Sequence, residues 1–556
     1  MVSKNDRAGL RGQISAAGIA IGCIGCVVIT ASSVYTALKM GALPWPTIFT
    51  SITALVLLRA LGRTGLNEAN VTQIIMSAGS MVAGGLAFTI PGIWMLGLDG
   101  RAGWGRMLAV ALAGTLLGLV CTALFRRRFV EESDLEYPIG TAAAETLMAS
   151  RAGGKTGGRL FGSMALAGIW CALRDVAGIV PTMLLALPVP GVAFGIYTSP
   201  RLLSVGFLVG GAAVAFWLAG GLVANLGLVV GGSAAGLWDV ATAQGIVSSL
   251  GMGLMMGAGL GVVARDILPK ALGRLRGRGG AGYDGARPGR RDAGALGLLV
   301  AGAALLACLG LGLSPLVCAI VICLAFVTTI MSAQSVGQTG IDPMEIFGLI
   351  VLLAVAALGE SDQVKLFFVA GVVAVACGLA GDVMSDFKTG AILGTDPRAM
   401  WIGQAVGALI GCAVSVAVMA ALLGAHGAGA FGPGREFVAA QASVVATMVS
   451  GIPSIGAFGI GIALGIILHC LKMPSMMLGL GVYLPFYMTL TASLGALAKL
   501  AYDRAAARRD QAPDGAARGE ASHEETGIVV ASGVLGGESI VGVVIALATV
   551  AGGLLG

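Results

Sequence analysis

The sequence predicts an all-α polytopic membrane protein with about 16 membrane segments in two repeated halves, some of them re-entrant or broken. Three observations lead there. Of 556 residues, 57% are hydrophobic and 11% charged, with a mean hydropathy of +0.92, whereas a soluble domain carries about 25% charged residues. The charges fall in islands between long apolar tracts. Glycine, at 90 residues, and proline interrupt several of those tracts without a Gly-X-Y period. A chain so poor in polar groups cannot cover a water-facing surface, which excludes soluble enzymes, nucleic-acid modules, disordered chains and collagen. A transmembrane β-barrel would alternate over strands of about ten residues; here the tracts are continuous and rich in Gly, Ala, Leu and Val.

Residues 13–38 carry no charge and form the first expected span. They are too long for a signal-peptide core and lack a small-residue cleavage pattern. Basic islands follow Lys4, Arg7 and Arg11: residues 126–128, then Arg151, Lys155 and Arg159, then 265–291 and 499–518. Lys and Arg mark cytoplasmic loops, so these islands and the N-terminus are expected on the cytoplasmic side of the inner (plasma) membrane.

The run from Tyr35 through Lys39 to Gly41 closes the first span ahead of Pro44 and Pro46, which cannot continue a helix. Lys39 beside such a break could hold a carboxylate, or snorkel to the interface. Further on, Asn67 can cap a helix that Glu68 favours near its positive end. Asn70 and Gln73 share a face of that helix and offer donors and acceptors to a peptide-like solute. Residues 138–149 are too short to cross and lie between two basic islands that want the same side. That describes a re-entrant or broken helix, tolerated only where buried in protein or lining a cavity. Tyr137 precedes it and Glu145 lies within it; a carboxylate buried there could exchange a proton near neutral pH.

The Gly/Arg/Ala-rich stretch 265–292 is expected to be a cytoplasmic linker between an N-terminal half (1–264) and a C-terminal half (293–556). Each half holds about eight apolar segments, and a second hydrophilic loop covers 499–526. Three matches suggest duplication. Ser33, Gly41 and Pro44 repeat as Ser332, Gly340 and Pro343; 135–138 matches 471–474; 205–208 matches 532–535. In the second half Asp342 and Glu345 flank Pro343, and Asp382 and Asp386 lie at i, i+4 with Lys388 two residues on. Like charges one turn apart repel and call for a cation, a proton or water between them. Tyr483 and Tyr487 flank Pro485 in a tract that could line a cavity or form an interfacial belt. Glu538 is the only acid from 526 onward.

The ten cysteines lie in or beside apolar tracts and read as small packing residues rather than a disulfide framework. His426, His469 and His523 are scattered, so no metal centre is expected. No P-loop is present, so no cofactor is expected and energy must come from an ion gradient or a partner.

Several strings, taken in order, resemble the oligopeptide transporter family on the side that includes the yellow-stripe-like carriers. They are 35–41 ending Leu-Lys-Met-Gly, 70–79 with Gln73 and Ser77, and 135–145 with Tyr-Pro-x-Gly-Thr-Ala. In the second half they are 381–398 (Asp-x3-Asp-x-Lys-Thr-Gly-x3-Gly-Thr-Asp-Pro-Arg), 479–485 and 531–538. The resemblance implies two halves of membrane segments and secondary active uptake, usually proton-coupled, of small peptides or metal chelates. Acids and histidines linked with chelate recognition near the N-terminus are absent, which leans the solute toward peptides.

On this reading Glu145, Asp382, Asp386 and Glu538 are the proton-coupling candidates, since ionisable groups inside lipid are costly. Tyr35, Lys39, Asn70, Gln73, Tyr137, Asp342, Lys388, Tyr483 and Tyr487 are the substrate-binding candidates. The expected partners are a small solute (peptide or metal chelate) and the lipid bilayer, with no nucleic acid and a homodimer left open. The competing classes are weaker. A channel would repeat a filter signature, an enzyme would need a nucleophile–base pair or metal cluster, and an amino-acid or drug exporter would differ in the direction of transport.

Overall fold

In the computed structural model the described residues are 10–40, 43, 47–152, 154–209, 211–262, 265, 290–432, 435–449, 452–510 and 523–555. The first half runs α1 (Ala16–Met40), α2 (Thr47–Ala60), α3 (Leu66–Ala87), α4 (Trp104–Arg126), α5 (Pro138–Ala152) and α6 (Gly154–Asp175). A hairpin of β1 (Met183–Val189) and β2 (Val192–Tyr197) leads into α7 (Pro200–Val209), α8 (Gly211–Gly221) and α9 (Val240–Val262). The second half opens with α10 (Arg290–Leu305), α11 (Pro315–Thr339), α12 (Met344–Ala357), α13 (Gln363–Ala380) and α14 (Asp382–Leu393). It continues through α15 (Pro397–His426), α16 (Ala440–Val449), α17 (Ile455–Cys470), α18 (Ser475–Tyr483), α19 (Phe486–Asp510) and α20 (His523–Leu555).

Local chemistry sets several helix ends. Ser314, Asp362, Asp396 and Ser454 each accept a first-turn N–H, and Pro315 and Pro397 occupy first-turn positions that need no donor. Gly340 and Gly394 close α11 and α14 in the left-handed conformation. Among the described residues nine helical stretches are long and apolar enough to cross a bilayer. Thr47–Ala60, Pro200–Val209, Met344–Ala357 and Ile455–Cys470 are apolar but shorter, so the expected segments divide into full spans and short helices. The 138–149 element is a single unbroken helix of 15 residues, α5, shorter than a span. The hairpin departs from an all-helical chain: Pro188 and Pro190 prevent helix, and Gly191 at φ 75 makes the two-residue turn.

The halves interlock by exchanging partners. Helix α1 and α11 each have 25 residues, and α2 and α12 that follow them each have 14. Helix α3 packs on α15, and α4 on α13: Gly407 rests on the Ile75 carbonyl, Gly114 on that of Val372. Helix α6 packs on α20, and α9 on α17: Gly533 and Gly537 face the Leu160 and Met164 carbonyls, Gly253 and Gly257 those of Phe458 and Ile462. Helix α7 packs on α19, and α8 on α18, with a glycine in each helix against the other's backbone at Gly206, Gly495, Gly220 and Gly481. Small residues let helix backbones approach this closely, which is how helices associate in lipid.

The Ser33/Ser332 match falls on the equivalent pair α1 and α11. The other two matches set the start of α5 beside that of α18, and α7 beside α20.

Two spans, Leu66–Met95 and Gln363–Leu393, have their apolar stretch of 18 residues completely buried. Both are discontinuous. The first turns at 88–90 before Pro91, and the second divides at Gly381 into α13 and α14. The largest apolar cluster surrounds these two.

Candidate functional site

The centre of the bundle holds a carboxylate. Asp386, on the inward face of α14, is 2% exposed. Gln73 Nε2 donates to its Oδ1 at 2.7 Å and Ser77 Oγ to its Oδ2 at 2.8 Å, both from α3, one turn apart. The Thr47 hydroxyl at the start of α2 adds a third contact. Among the described residues no ion pair joins Asp386. A buried charge without a counter-ion is costly, so this position suits a group that takes up a proton or a cation.

Spare polar atoms surround it. Gln73 Oε1 and the Ser385 hydroxyl beside Asp386 are buried without a hydrogen-bond partner. Asn70 donates to Thr395 Oγ1 at 3.3 Å, which in turn donates to Asn67 Oδ1 at 3.0 Å, while Asn70 Oδ1 is left unpaired. Buried polar atoms are normally satisfied, so these unpaired atoms set the α3–α14 seam apart from the apolar packing around it.

Helix α14 is also tied to the segment that opens α5. Lys388 Nζ donates to the Leu135 carbonyl at 2.9 Å and Thr389 Oγ1 to that of Gly140 at 2.8 Å. Gly140 lies so close to α14 that a Cβ there would stand 2.2 Å from the Ser385 carbonyl. Tyr137, fully buried with φ 47, donates through its N–H to Gly337 O at 2.9 Å and through its hydroxyl to Ala333 O at 3.2 Å. A non-glycine residue in that conformation is held by its surroundings; here α11 holds it. Asp382, the first residue of α14, is buried. Asp342 accepts from Ser332 Oγ at 2.8 Å beside Gly381, with its other oxygen unpaired.

The remaining candidates lie elsewhere. Glu145 is half-buried on α5. Tyr35 packs edge-on against Phe437, with ring centroids 5.8 Å apart. Tyr483 ends α18 within electrostatic reach of Glu345. Tyr487 meets Tyr197 at 5.7 Å. The side chain of Lys39, with Gly41, Pro44 and Pro46, lies outside the described residues. Glu538 sits in a separate network. Its Oε1 pairs with Arg174 at 3.1 Å, and its Oε2 accepts from Ser199 Oγ and the Arg201 N–H at 2.7 Å each. Arg174 also pairs with Asp175 at 2.6 Å and lies over the Tyr197 ring. Glu538 is thus met by a guanidinium and the N-terminus of α7, whereas Asp386 is met by an amide and hydroxyls.

Sequence reasoning missed Arg174 and Ser199; the signal available was an Arg-Asp pair closing an otherwise uncharged tract. At the C-terminal end of α11 a cavity of about 350 Å³ is lined by Arg265, Lys472, His469, Gln334 and Gln338, and among the described lining residues none is acidic. No group of three or more His, Cys, Asp or Glu able to hold a metal occurs among the described residues.

Discontinuous central helices around a buried polar seam define a multi-pass membrane transport protein. Residues 13–264 and 293–549 match the model of the family described as OPT oligopeptide transporter protein, and the chain belongs to that family, whose members are transporters rather than enzymes. A "Putative oligopeptide transporter" of Haemophilus influenzae is 24% identical over 597 residues, covering 92% of each chain. A metal-nicotianamine transporter of Arabidopsis thaliana is 40% identical over 92 residues, 15% of this chain and 13% of the relative. One of Oryza sativa is 36% identical over 101 residues, 16% and 14% of the two chains.

Proposed function

We propose that this protein is a proton-coupled secondary transporter that imports small oligopeptides or peptide-like compounds across the inner (plasma) membrane, with its N-terminus cytoplasmic. The observation that carries the reading is Asp386, buried on one discontinuous central span against the other with only neutral donors around it. Protonation removes its charge and reverses the polarity of one contact, so Gln73 or Ser77 must reorient. Loading the site therefore bears on the α3–α14 seam, where Asn70 and Gln73 offer free acceptors to peptide N–H groups. The cationic cavity provides a complementary mouth for carboxylates. Energy comes from the gradient itself: one charge crossing 100 mV supplies about 2.3 kcal/mol, and no cofactor is needed.

A second reading, a metal-chelate symporter, is favoured by the partial likeness to metal-nicotianamine transporters. The test for both is uptake into proteoliposomes under an imposed pH gradient and potential, with peptides and carboxylate-rich metal chelates as solutes. Accumulation of a peptide that stops when both gradients are collapsed is expected; accumulation indifferent to that collapse overturns proton coupling.

A further inference from the structure

Cys308 and Cys318 face each other with their sulfurs 2.8 Å apart. Cys308 lies in the wide helical turn Leu306–Gly310 that ends α10, and Cys318 in the first turn of α11. The tight connection between them turns at Gly312, with φ 69. The hairpin orients both sulfurs inward. Leu309 and Leu316 are 78% and 71% exposed, whereas Leu311, Leu313 and Cys318 are buried. Helix α10 is the least buried of the nine spans, with 11% of its apolar window inside the protein. It packs along α4, with Gly302 against Leu116 and Gly310 against Ala109, and meets α11 mainly at the hairpin.

We infer that Cys308 and Cys318 form a disulfide in the native membrane, a covalent clasp that holds α10 to α11. The span 293–310 starts beside the basic stretch 265–291, which marks the cytoplasmic side. The 311–314 connection therefore emerges on the opposite, oxidising face, where disulfides form and persist. The oxidant is a protein or low-molecular-weight disulfide of that compartment. One thiolate attacks it and displaces one of its sulfurs; the second thiolate attacks the first cysteine's sulfur in the resulting mixed disulfide and displaces the oxidant's remaining sulfur. One S–S bond forms in the chain and one breaks in the oxidant; two electrons pass from the cysteines to the oxidant, and the two protons the cysteines give up end on the two oxidant thiols.

The test blocks free thiols with N-ethylmaleimide in intact cells, before lysis and without reductant, then maps peptides by mass spectrometry. Most chains should yield a 308–318 cross-linked peptide, lighter by two hydrogen atoms than the pair of thiols, that gives two labelled cysteines only after reduction. Recovery of both cysteines labelled by maleimide in most unreduced, denatured chains overturns the clasp. In Cys308→Ser, Cys318 should become labelled without reduction, and reciprocally in Cys318→Ser. If either variant is lost before it reaches the membrane, the wild-type peptide map decides alone.

Discussion

Asp386 and Glu538 are both acids on helices of the second half, yet their neighbours differ in charge. Asp386 is met by an amide and hydroxyls, Glu538 by a guanidinium. Asp386→Asn should abolish gradient-driven uptake while solute exchange between equal pools persists, read by comparing the two assays in the same proteoliposomes. Truncating Arg174 leaves Glu538 and Asp175 without their cation in a site where Arg174 is 3% exposed. Breaking such a buried pair costs about 3–5 kcal/mol, so Arg174→Met should lower the unfolding temperature in detergent sharply. Each of Gln73, Asn70 and Asp386 is legible in the sequence as a polar group in an apolar tract. That Gln73 meets Asp386 across the two halves is not, because the contact depends on how the helices cross. The cysteines show the reverse: an apolar tract explains a thiol by packing, and only the geometry of the α10–α11 hairpin pairs Cys308 with Cys318.

Among the elements, the short α5 and α14 show how a helix too short to span is kept in place. Gly140 against Ser385, with Lys388 and Thr389 on the carbonyls of Leu135 and Gly140, joins them end to side. The short element at 138–149 was visible from its flanking charges, since they set both ends; its unbroken course and its partner were not. Where two backbones touch, a methyl has no room. A Cβ at Gly206 would stand 1.8 Å from Ala492 O and one at Gly481 2.0 Å from Trp217 O, whereas nothing lies within 4 Å at Gly459. Gly206→Ala and Gly481→Ala should each destabilise by at least the ~1–3 kcal/mol typical of overpacking, with Gly459→Ala unchanged, as measured by thermal unfolding in detergent.

At the scale of the molecule, class and halves follow from hydropathy and charge islands, which depend on local composition. The exchange of partners does not, because it is a property of pairs of helices far apart in the chain. It predicts that residues 1–264 and 293–556, produced as two polypeptides in one cell, co-purify as a complex. Each produced by itself should be degraded, since its glycine-lined faces find no mate; stable accumulation of either fragment alone, by immunoblot of membranes, would count against the interlocked arrangement.

That same exchange bears on biogenesis. Helices α6 to α9 leave the ribosome before any of their mates α17 to α20 exists, so the early half must wait in the membrane with its close-packing surfaces bare. Assembly therefore belongs late in translation, and the waiting intermediate is where an insertase or a quality-control protease has its opportunity.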